Sequence, residues 1–312
     1  MKDFNVLILL ATYNGEAYIG QQLDSLLEQD YCNFRILVSD DGSADATATI
    51  LDHYASSHPD RIQHYRSGQR FGNAQKHFLH LLNQFHDADY IMFCDQDDVW
   101  HTDKVIKTLR FMQQIEVNPE IPALVHTDLR VVDGSLNVTA ASFCRLCGLN
   151  GNRLSLNQLL VQNVVTGCTM MINRALAHLA CRKTDMEAVL MHDGWLAMLA
   201  SACGVTGFLD EATIDYRQHG TNSVGAKNVY SPSYLYQRLR SEKARHAMTD
   251  AALQAKSFLE TYSDVLKPEQ TQMLSAFAAT PGLSFWGRNR IYLKYNLLKS
   301  GVVRIFAQLM GF

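Results

Sequence analysis

The sequence predicts an α/β protein built on a mostly parallel sheet with helices on both faces. Short apolar runs alternate with amphipathic helical stretches through the first hundred residues. The apolar runs are continuous, as expected of strands that are covered on both faces. Hydrophobic residues make up 47% and charged residues 19% of the 312 residues, which are ordinary globular values and exclude a disordered or fibrous chain.

The first two strand–helix units carry the clearest signals. The run FNVLILLA at 4–11 predicts a strand, and Asn14 is placed to cap the helix that follows. The apolar residues of that helix recur on one face: Ile19, Leu23, Leu26 and Leu27. FRILVS at 34–39 predicts the second strand, and Ser43 is placed to cap the second helix.

Two further units complete a β-α-β-α-β-α-β order. RIQHYR at 61–66 predicts a weaker third strand, and the helix after it has apolar residues between 74 and 85. YIMF at 90–93 predicts a fourth strand, and Thr102 is placed to cap the next helix. Such an order implies right-handed crossovers, and ligands of such sheets bind outside the carboxyl ends of the strands.

The later part of the chain is less regular. Strand-like runs occur at 123–132 and 164–172, and a helix is predicted to start near Asn173. Another helix opens at the sequence MHDGW, and a strand-like run follows at 205–220. After that run the composition shifts towards Tyr, Ser, Lys, Arg and Gln, and the remainder predicts helices.

Composition and charge restrict the partners and the compartment. A net charge of −3 does not point to nucleic acid. No window reaches the ~18 apolar residues of a membrane-spanning helix, and the run at 6–11 is too short for a secretory signal, so we expect a cytoplasmic protein. The seven cysteines are scattered and odd in number, which suits reduced thiols. Cys144 and Cys147 form a CxxC, but the second ligand pair of a zinc site is not visible.

Polar clusters directly follow three predicted strands: TYNGE, SDDGS and DQDD. The last cluster crowds Asp95, Asp97 and Asp98 together, where each carboxylate raises the cost of ionising the others. A D-x-D pattern at a ligand edge suits a hard divalent cation such as Mg²⁺ or Mn²⁺. The alternative is a solvated acidic turn that caps the next helix, and Asp98 alone fits that description.

Five motifs, in this order and at this spacing, resemble the family 2 inverting glycosyltransferases: ATYNGEAYIGQQLDSLLEQ, ILVSDDGSADAT, DQDDVW, MHDGW and YRQHGTNSVG. The closer resemblance is to bacterial rhamnosyltransferases of O-antigen and capsule synthesis, and it covers roughly 4–225. It implies a GT-A fold, a nucleotide-sugar donor and usually Mg²⁺ or Mn²⁺. The implied domains are a catalytic domain at 1–225, with a nucleotide-binding half (1–100) and an acceptor half (101–225), and a helical extension at 226–312.

The resemblance also implies roles for the polar residues within the motifs. The residues expected to bind the nucleotide sugar are Thr12, Tyr13, Asn14, Glu16, Asp41, Asp95 and Arg217. The expected metal ligands are Asp97, Asp95 and His219. His219 has a structural role at a strand end as its alternative, and Asn14 can be a helix cap in addition. Relatives often carry Asn where this chain has His77, which leaves Arg70, Gly72 and His77 without an assigned role.

The acceptor side requires a general base, because a sugar hydroxyl is a poor nucleophile until its proton is removed. Asp193 matches the catalytic carboxylate of the family and begins a helix, whose dipole favours the ionised form. Helix capping alone is the alternative. His192 and Trp195 are predicted to contact the acceptor, with a core position as the alternative for Trp195. Gly167 would allow close backbone approach at the acceptor pocket, or simply a tight bend.

The C-terminal segment 284–312 carries five basic residues and no acidic residue, a local charge of +5. Its apolar residues recur at spacings of three and four: Ile291, Tyr295, Leu298, Val302, Ile305 and Leu309. This pattern predicts attachment to an anionic membrane surface, with Trp286 and Tyr292 at the interface. A helix docked on the catalytic domain and a homodimer seam are the alternatives, and Gly301 weakens a continuous helix.

The sequence therefore predicts transfer of a sugar from a nucleoside-diphosphate sugar to a hydroxyl of a glycan or lipid-linked glycan, on the cytoplasmic side or peripherally on the inner membrane face. dTDP-rhamnose is the first donor considered, and a UDP-sugar is the second. A nucleotidyltransferase would have a Gly-rich, basic first loop, and a haloacid-dehalogenase-like phosphatase would carry D-x-D after its first strand. A non-catalytic sugar-nucleotide binding protein would have no reason to keep both the acidic cluster and Asp193.

Overall fold

The computed structural model describes residues 3–182, 186–219 and 242–311. Its strands are β1 (Val6–Thr12), β2 (Phe34–Asp40), β3 (Ile62–Tyr65), β4 (Tyr90–Cys94), β5 (Val99–Trp100), β6 (Ala123–Val132), β7 (Val138–Ala140), β8 (Met170–Asn173) and β9 (Val205–Arg217). Its helices are α1 (Ile19–Leu27), α2 (Thr47–Ser57), α3 (Ala74–Gln84), α4 (Lys104–Ile115), α5 (Phe143–Leu146), α6 (Leu156–Leu159), α7 (Arg174–Ala180), α8 (His192–Cys203), α9 (Glu242–Tyr262), α10 (Pro268–Ala278), α11 (Phe285–Lys294) and α12 (Val302–Met310). The predicted domain boundary at 225/226 and the motif residues 220–225 lie outside the described residues.

One sheet joins all of these strands, in the order β3-β2-β1-β4-β8-β6-β9-β5, with β7 beside β6. The first four strands pair in parallel, with Leu9 of β1 opposite both Leu37 of β2 and Phe93 of β4. β8 runs antiparallel between β4 and β6, and β9 runs parallel to β6. The predicted β-α-β-α-β-α-β order and the mostly parallel sheet are confirmed.

Apolar side chains alternate between the two faces of the central strands, so that two cores form. On one face Leu9 and Phe93 pack with α3, α8 and the C-terminal helices. On the other face Ile8 and Met92 pack with α1, α2 and α4. Strands covered on both faces are rigid, and the loops at their carboxyl ends therefore start from fixed positions.

Three helix caps predicted from the sequence are wrong. The residues before α1, α2 and α4 are Tyr18, Ala46 and Asp103, and none of them makes a side-chain capping hydrogen bond. The predicted caps Asn14 and Ser43 bond to each other's loops instead, as described below, and Thr102 precedes the cap of α4 by one residue. The helix near Asn173 is confirmed, since the Asn173 side chain accepts from Leu176 N.

The predicted strand at 164–172 is only partly correct. A single 3-10 turn spans Gly167–Thr169, and β8 begins at Met170. The turn redirects the chain before it enters the sheet. The residues in front of the turn, 163–166, and its first residue Gly167 therefore line the cleft described below instead of continuing the strand.

The C-terminal helices pack on the α8 side of the sheet. Phe258 and Tyr262 of α9 contact Trp195 of α8, and Phe277 and Tyr292 extend the same core into α10 and α11. The predicted helical extension is confirmed. None of the helices in the described parts of the chain has the length and apolar character required to cross a bilayer.

Candidate active site

A cleft of about 710 Å³ opens where the parallel strands end. Four carboxylates from separate segments line it: Asp41 after β2, Asp95 and Asp97 after β4, and Asp193 at the start of α8. The convergence of these acidic groups at one sheet edge, expected from the strand order, is present in the structure. Like charges gathered in one cavity repel each other, so a bound cation or hydrogen-bond donors would lower the energy of the site.

The first loop is held against the acidic loop by the side chain of Gln96. Thr12 Oγ1 and Tyr13 N both donate to Gln96 Oε1, at 2.5 and 2.8 Å, and Gln96 Nε2 donates to the Tyr13 carbonyl at 3.2 Å. Gly15 packs closely on the same amide, because a Cβ there would lie 2.6 Å from Gln96 Oε1. Thr12, Tyr13 and Gln96 all line the cleft.

Asn14 and Glu16, predicted to hold the nucleoside, brace the first loop against the second. Asn14 has a positive φ of 48°, its amide N donates to Ser43 Oγ at 2.8 Å, and its Oδ1 accepts from Ala44 N at 2.9 Å. Glu16 Oε2 accepts from Ala46 N at 2.8 Å. Their acceptors are directed at protein backbone and neither residue lines the cleft, so contact of these two side chains with the nucleotide sugar stays a prediction.

Asp41 is buried and organises a third loop that sequence reasoning left without a role. Its carboxylate accepts from Phe71 N at 2.5 Å and from Gly72 N at 2.8 Å. The loop places the exposed Arg70 over the ring of Tyr13, with its guanidinium carbon 4.9 Å from the ring centroid. Arg70, Asp41 and Tyr13 line the cleft together, so a cation and a carboxylate flank one aromatic ring.

His77 of α3 also lines the cleft, although it is almost completely buried. Its Nε2 shares a hydrogen bond of 2.8 Å with Ser39 Oγ, and its ring stacks on Phe71. Burial lowers the pKa of His77 to about 4, so the ring is neutral at physiological pH. It therefore contributes shape and one hydrogen bond rather than charge.

Asp95 and Asp97 stand at the mouth of β4 as predicted. Burial, together with the nearby charges of Asp97 and Asp193, raises the pKa of Asp95 to about 7. His219 lies beside them, with Nε2 at 2.7 Å from Asp97 Oδ2 and its ring stacked on Tyr18. The three predicted metal ligands thus belong to one neighbourhood.

Arg217 has a positioning role in the structure. Its guanidinium donates to the carbonyls of Asp97 (2.9 Å) and Gly134 (2.8 Å) and to Gln21 Oε1 (2.5 Å), and its backbone N donates to Asp98 Oδ1 (3.1 Å). These donors hold the DQDD loop and the residue does not line the cleft, so its contact with the nucleotide sugar stays a prediction.

Asp98 is buried beneath the loop, and its Oδ2 has no partner within the described residues. Asp95, Asp98 and Cys168 place ligand atoms within 4.8 Å of one another. Burial raises the pKa values of Asp98 and Cys168 well above their usual ranges, which keeps the thiol protonated. A protonated thiol is a poor ligand for a hard cation, so this trio has the character of a buried support rather than a metal site.

The donor set at the cleft itself fits a hard divalent cation. Asp95 and Asp97 line the cleft and supply carboxylate oxygens, and His219, which lies behind Asp97 and outside the cleft lining, supplies an imidazole nitrogen. Burial is the main cause of the raised pKa of Asp95, and repulsion from Asp97 and Asp193 adds to it; a bound Mg²⁺ or Mn²⁺ would relieve that repulsion. The residues that would hold the ion are therefore present together.

Asp193 lies in the first turn of α8, one residue after His192. Its Oδ1 accepts from Asn163 Nδ2 at 2.9 Å and from Gly194 N at 2.5 Å, and its Oδ2 accepts from Gly167 N at 3.1 Å. Burial raises the pKa of Asp193 to about 6, and these hydrogen bonds oppose the rise. The carboxyl group is thereby fixed in orientation and poised to exchange a proton near neutral pH.

His192 lines the cleft beside Asp193 and is only 2% exposed. Its ring packs between Phe78 and Phe93, and neither ring nitrogen has a hydrogen-bond partner within the described residues. Burial lowers its pKa to about 3, so the ring is neutral. Gly167 is required beside it, because a Cβ at that position would lie 2.7 Å from His192 Nε2. Unpaired buried nitrogens at a cleft wall are available to a substrate hydroxyl.

Trp195, predicted to contact the acceptor, is a core residue. It is 1% exposed, its Nε1 donates to the Tyr262 hydroxyl at 3.3 Å, and its ring packs on Phe258. The structure corrects this prediction, because Trp195 is directed towards α9 while Asp193 faces the cleft.

Several lining residues were not predicted from the sequence: Arg70, Gly72, Asn73, His77, Gln96, Phe143, Leu149, Asn163 and Tyr216. Gln96 would have been the easiest of these to predict, since it lies inside the DQDD motif. Asn163 carries no local signal, because its partner Asp193 is 30 residues away.

The chain matches the model of "Glycosyl transferase family 2" over residues 7–178. It is 30% identical over 237 residues to "dTDP-rhamnosyl transferase RfbG" of Shigella flexneri, which covers 72% of this chain and 76% of that protein. It is also 30% identical over 139 residues to "Amylovoran biosynthesis glycosyltransferase AmsB" of Erwinia amylovora, covering 43% of this chain and 45% of that protein.

Solved structures share the fold. S. aureus TarS 1-349 in complex with UDP aligns with a TM-score of 0.56 at 19% identity, covering 93% of this chain and 75% of that one. The mannosyltransferase PcManGT from Pyrobaculum calidifontis, in complex with GDP-Man and Mn²⁺, aligns with a TM-score of 0.54 at 15% identity, covering 99% and 85%. The fold is GT-A, and the chain belongs to glycosyl transferase family 2.

Proposed function

We propose that this glycosyltransferase moves a sugar from a nucleoside-diphosphate sugar to a hydroxyl of a glycan or lipid-linked glycan, with inversion, in the synthesis of a cell-surface polysaccharide. One observation carries the proposal: a single cleft is lined by Asp95 and Asp97 from one loop and by the oriented carboxyl group of Asp193 from another. Two acidic centres of this kind suit the two halves of the reaction, departure of a diphosphate and activation of a hydroxyl.

The donor would lie with its base against Tyr13 and Asp41 and its diphosphate towards Arg70 and the acidic loop. A carboxylate accepts hydrogen bonds from a pyrimidine N–H or from ribose hydroxyls, and a guanidinium binds phosphate oxygens. Asp95, Asp97 and His219 would hold Mg²⁺ or Mn²⁺. When bound, the ion neutralises charge on the departing nucleoside diphosphate. dTDP-rhamnose is the first donor we propose, since the relative from S. flexneri is named a dTDP-rhamnosyl transferase, and a UDP-sugar is the second.

Transfer would follow a single in-line displacement. The acceptor oxygen forms a bond to the anomeric carbon as the bond from that carbon to the phosphate oxygen breaks, and Asp193 receives the hydroxyl proton. Hydrogen bonds from Asn163 and Gly167 hold the carboxylate in place for this proton transfer. Neither ring nitrogen of His192 has a partner within the described residues, so His192 would accept a hydrogen bond from the acceptor sugar or donate one to it. Attack opposite the leaving group inverts the anomeric configuration.

We place the reaction in the cytoplasm or on the inner face of the cell membrane. All seven cysteines are free thiols, which suits a reducing compartment. Nucleotide sugars with a lipid-linked acceptor would meet at that membrane face.

Two substitutions separate the proposed roles. Asp193→Asn is expected to leave donor binding unchanged and to abolish transfer, because the amide cannot accept the hydroxyl proton. Asp97→Ala is expected to weaken donor binding in the presence of Mn²⁺. Thermal shift with a panel of nucleotide sugars measures binding, and product formation measures transfer. Asp60→Asn, which changes an exposed aspartate outside the cleft, is the matched control.

NMR of the product gives its anomeric configuration. Retention would contradict the displacement mechanism. Loss of donor binding in Asp193→Asn, together with normal donor binding in Asp97→Ala, would contradict both assignments. Asp193 would then bind the donor, and Asp97 would be the candidate base.

A further inference from the structure

The C-terminal helices expose a cluster of large apolar side chains that the fold does not cover. We call this surface the α11–α12 face, and it comprises Trp286, Leu293, Val302, Val303, Phe306 and Met310. Val302 is 84%, Trp286 80% and Phe306 63% exposed. Single exposed apolar residues are ordinary on a protein surface, but a contiguous group of this size marks an interaction site.

The two helices present these side chains side by side. In α11, Asn289 lies three residues after Trp286 and four before Leu293, which places the three on one side of the helix. Asn289 Nδ2 donates to the Leu309 carbonyl of α12 at 3.1 Å. In α12, Phe306 follows Val302 and precedes Met310 by four residues each, so these side chains also share one side. The exposed groups of the two helices therefore border each other.

The opposite side of α12 is fixed to the protein, so the exposed side cannot turn inwards. Gln308 is buried, its Nε2 donates to the Leu297 carbonyl at 2.7 Å, and its Oε1 accepts from Lys299 N at 2.9 Å. Arg304 donates to the carbonyl of Gly148 at 2.7 Å. The stripe predicted from the sequence is thus divided: its members Ile291, Tyr295, Leu298 and Leu309 pack on the core, and Val302 faces outwards.

The charge around the face selects one kind of partner. Residues 284–312 contain five basic residues and no acidic residue. Arg290 and Lys294 are exposed on α11, next to the apolar group. Lys299 is buried and Arg304 donates to two backbone carbonyls, so Arg290 and Lys294 supply the exposed charge beside the apolar group. Apolar side chains beside exposed cations complement a bilayer with anionic headgroups. A second copy of the chain would instead bring like charges together across the same surface.

Through the side opposite its exposed apolar residues, α12 lies next to the acceptor side of the cleft. Gly148, which accepts from Arg304, precedes the cleft residue Leu149. Ser300 N donates to Gln162 Oε1 at 2.7 Å, and Gln162 precedes Asn163, which holds Asp193. The helix that carries the exposed apolar side chains is thus bonded to the two segments that shape the acceptor half of the cleft.

We propose that the α11–α12 face docks on an anionic lipid bilayer and presents the cleft to an acceptor anchored in that bilayer. Docking itself rests on the exposed surface, and the identity of the acceptor rests on the function proposed above. Helices of this length lie in the plane of the interface with their apolar sides inserted, since each is too short to cross the hydrocarbon layer.

Vesicle sedimentation of the full chain tests the proposal. Vesicles of phosphatidylglycerol and phosphatidylcholine in equal parts are expected to bind the protein, and vesicles of phosphatidylcholine alone are expected to bind it about tenfold less, because exposed cations are attracted to anionic headgroups. Phe306→Asp is expected to lower binding to the mixed vesicles by roughly tenfold or more, because a charge replaces an inserted ring. Val117→Asp is the matched control, since Val117 is 93% exposed at the end of α4.

Three results would overturn the docking proposal: no binding to the mixed vesicles, equal loss in the Val117→Asp control, or a concentration-dependent dimer that Phe306→Asp dissociates in the absence of any vesicle binding. Thermal shift with nucleotide sugars separates this proposal from the proposed function. Phe306→Asp is expected to keep the wild-type response to the donor, because the face is outside the cleft. A chain that binds vesicles but no nucleotide sugar would contradict the proposed function and leave docking intact.

Discussion

Removal of the Asn163 side chain is expected to shift the pH dependence of transfer. Asn163 Nδ2 donates to Asp193 Oδ1 at 2.9 Å and stabilises the charged form of this carboxyl group, whose pKa is about 6. A hydrogen bond to an ionised group contributes about 1.5–3 kcal/mol, and one pKa unit corresponds to about 1.4 kcal/mol. Asn163→Ala is therefore expected to raise the pKa of Asp193 by about one unit or more, since only the backbone donors of Gly167 and Gly194 remain.

The sign follows from the proposed role of Asp193 as a base, which is active when ionised. With a pKa near 7 instead of 6, about a quarter of the carboxyl groups are ionised at a pH of about 6.5, against about three quarters in the wild type. At a pH of about 8.5 both proteins are more than roughly nine-tenths ionised. The variant is therefore expected to lose about threefold in kcat at the lower pH and to regain most of its activity at the higher pH.

The assay is the rate of nucleoside diphosphate release, measured at saturating donor across this pH range. Asn157→Ala is the matched control, because Asn157 Nδ2 also donates to backbone carbonyls, those of Tyr295 and Asn296, away from Asp193. An equal loss of activity at every pH would show that Asn163 supports the loop without tuning Asp193. A shift of the acidic limb to lower pH would refute the electrostatic reasoning altogether.

Two further substitutions test positions where the structure revises or extends the sequence analysis. Trp195→Ala is expected to lower the free energy of unfolding by about 3–5 kcal/mol in urea denaturation. The acceptor KM of the folded fraction is expected to stay unchanged. Trp286→Ala, at an exposed site, is expected to lower the free energy of unfolding only slightly. Arg70→Ala is expected to raise the donor KM about tenfold, because a charge-assisted contact to phosphate is lost. Arg66→Ala is the control, since the Arg66 guanidinium pairs with Asp52 at 2.6 Å. An equal rise in the donor KM of Arg66→Ala would count against a specific role for Arg70.

The sheet was predictable because its signals are local. The runs at 4–11, 34–39 and 90–93 each predict a strand to within two residues, since buried parallel strands are continuous apolar runs. Helix caps were less predictable, because Asn14 and Ser43 have cap-forming side chains that the fold uses between loops. Local propensity was overridden there by a contact between residues about thirty positions apart.

Asp41, Asp95 and Asp97 were predictable because they directly follow strands, and the topology brings such positions to one edge. Asp193 begins a helix and was predicted from the family resemblance. The supporting residues were not predictable. Arg70 reaches Tyr13 across 57 positions, and Asn163 reaches Asp193 across 30. Trp195 shares a helix with Asp193, and only the packing of α9 determines which side of that helix is buried. Sequence pattern shows which groups can react, and long-range packing decides which of them face the substrate.

Gln96 couples the movement of the acidic loop to that of the first loop. Its backbone lies between Asp95 and Asp97, while its side chain bonds to both Thr12 and Tyr13. Any displacement of the acidic loop by a cation is therefore transmitted to the loop that we propose contacts the base. Such coupling is reciprocal: if Mn²⁺ increases the affinity for a nucleotide by some factor, the nucleotide increases the affinity for Mn²⁺ by the same factor.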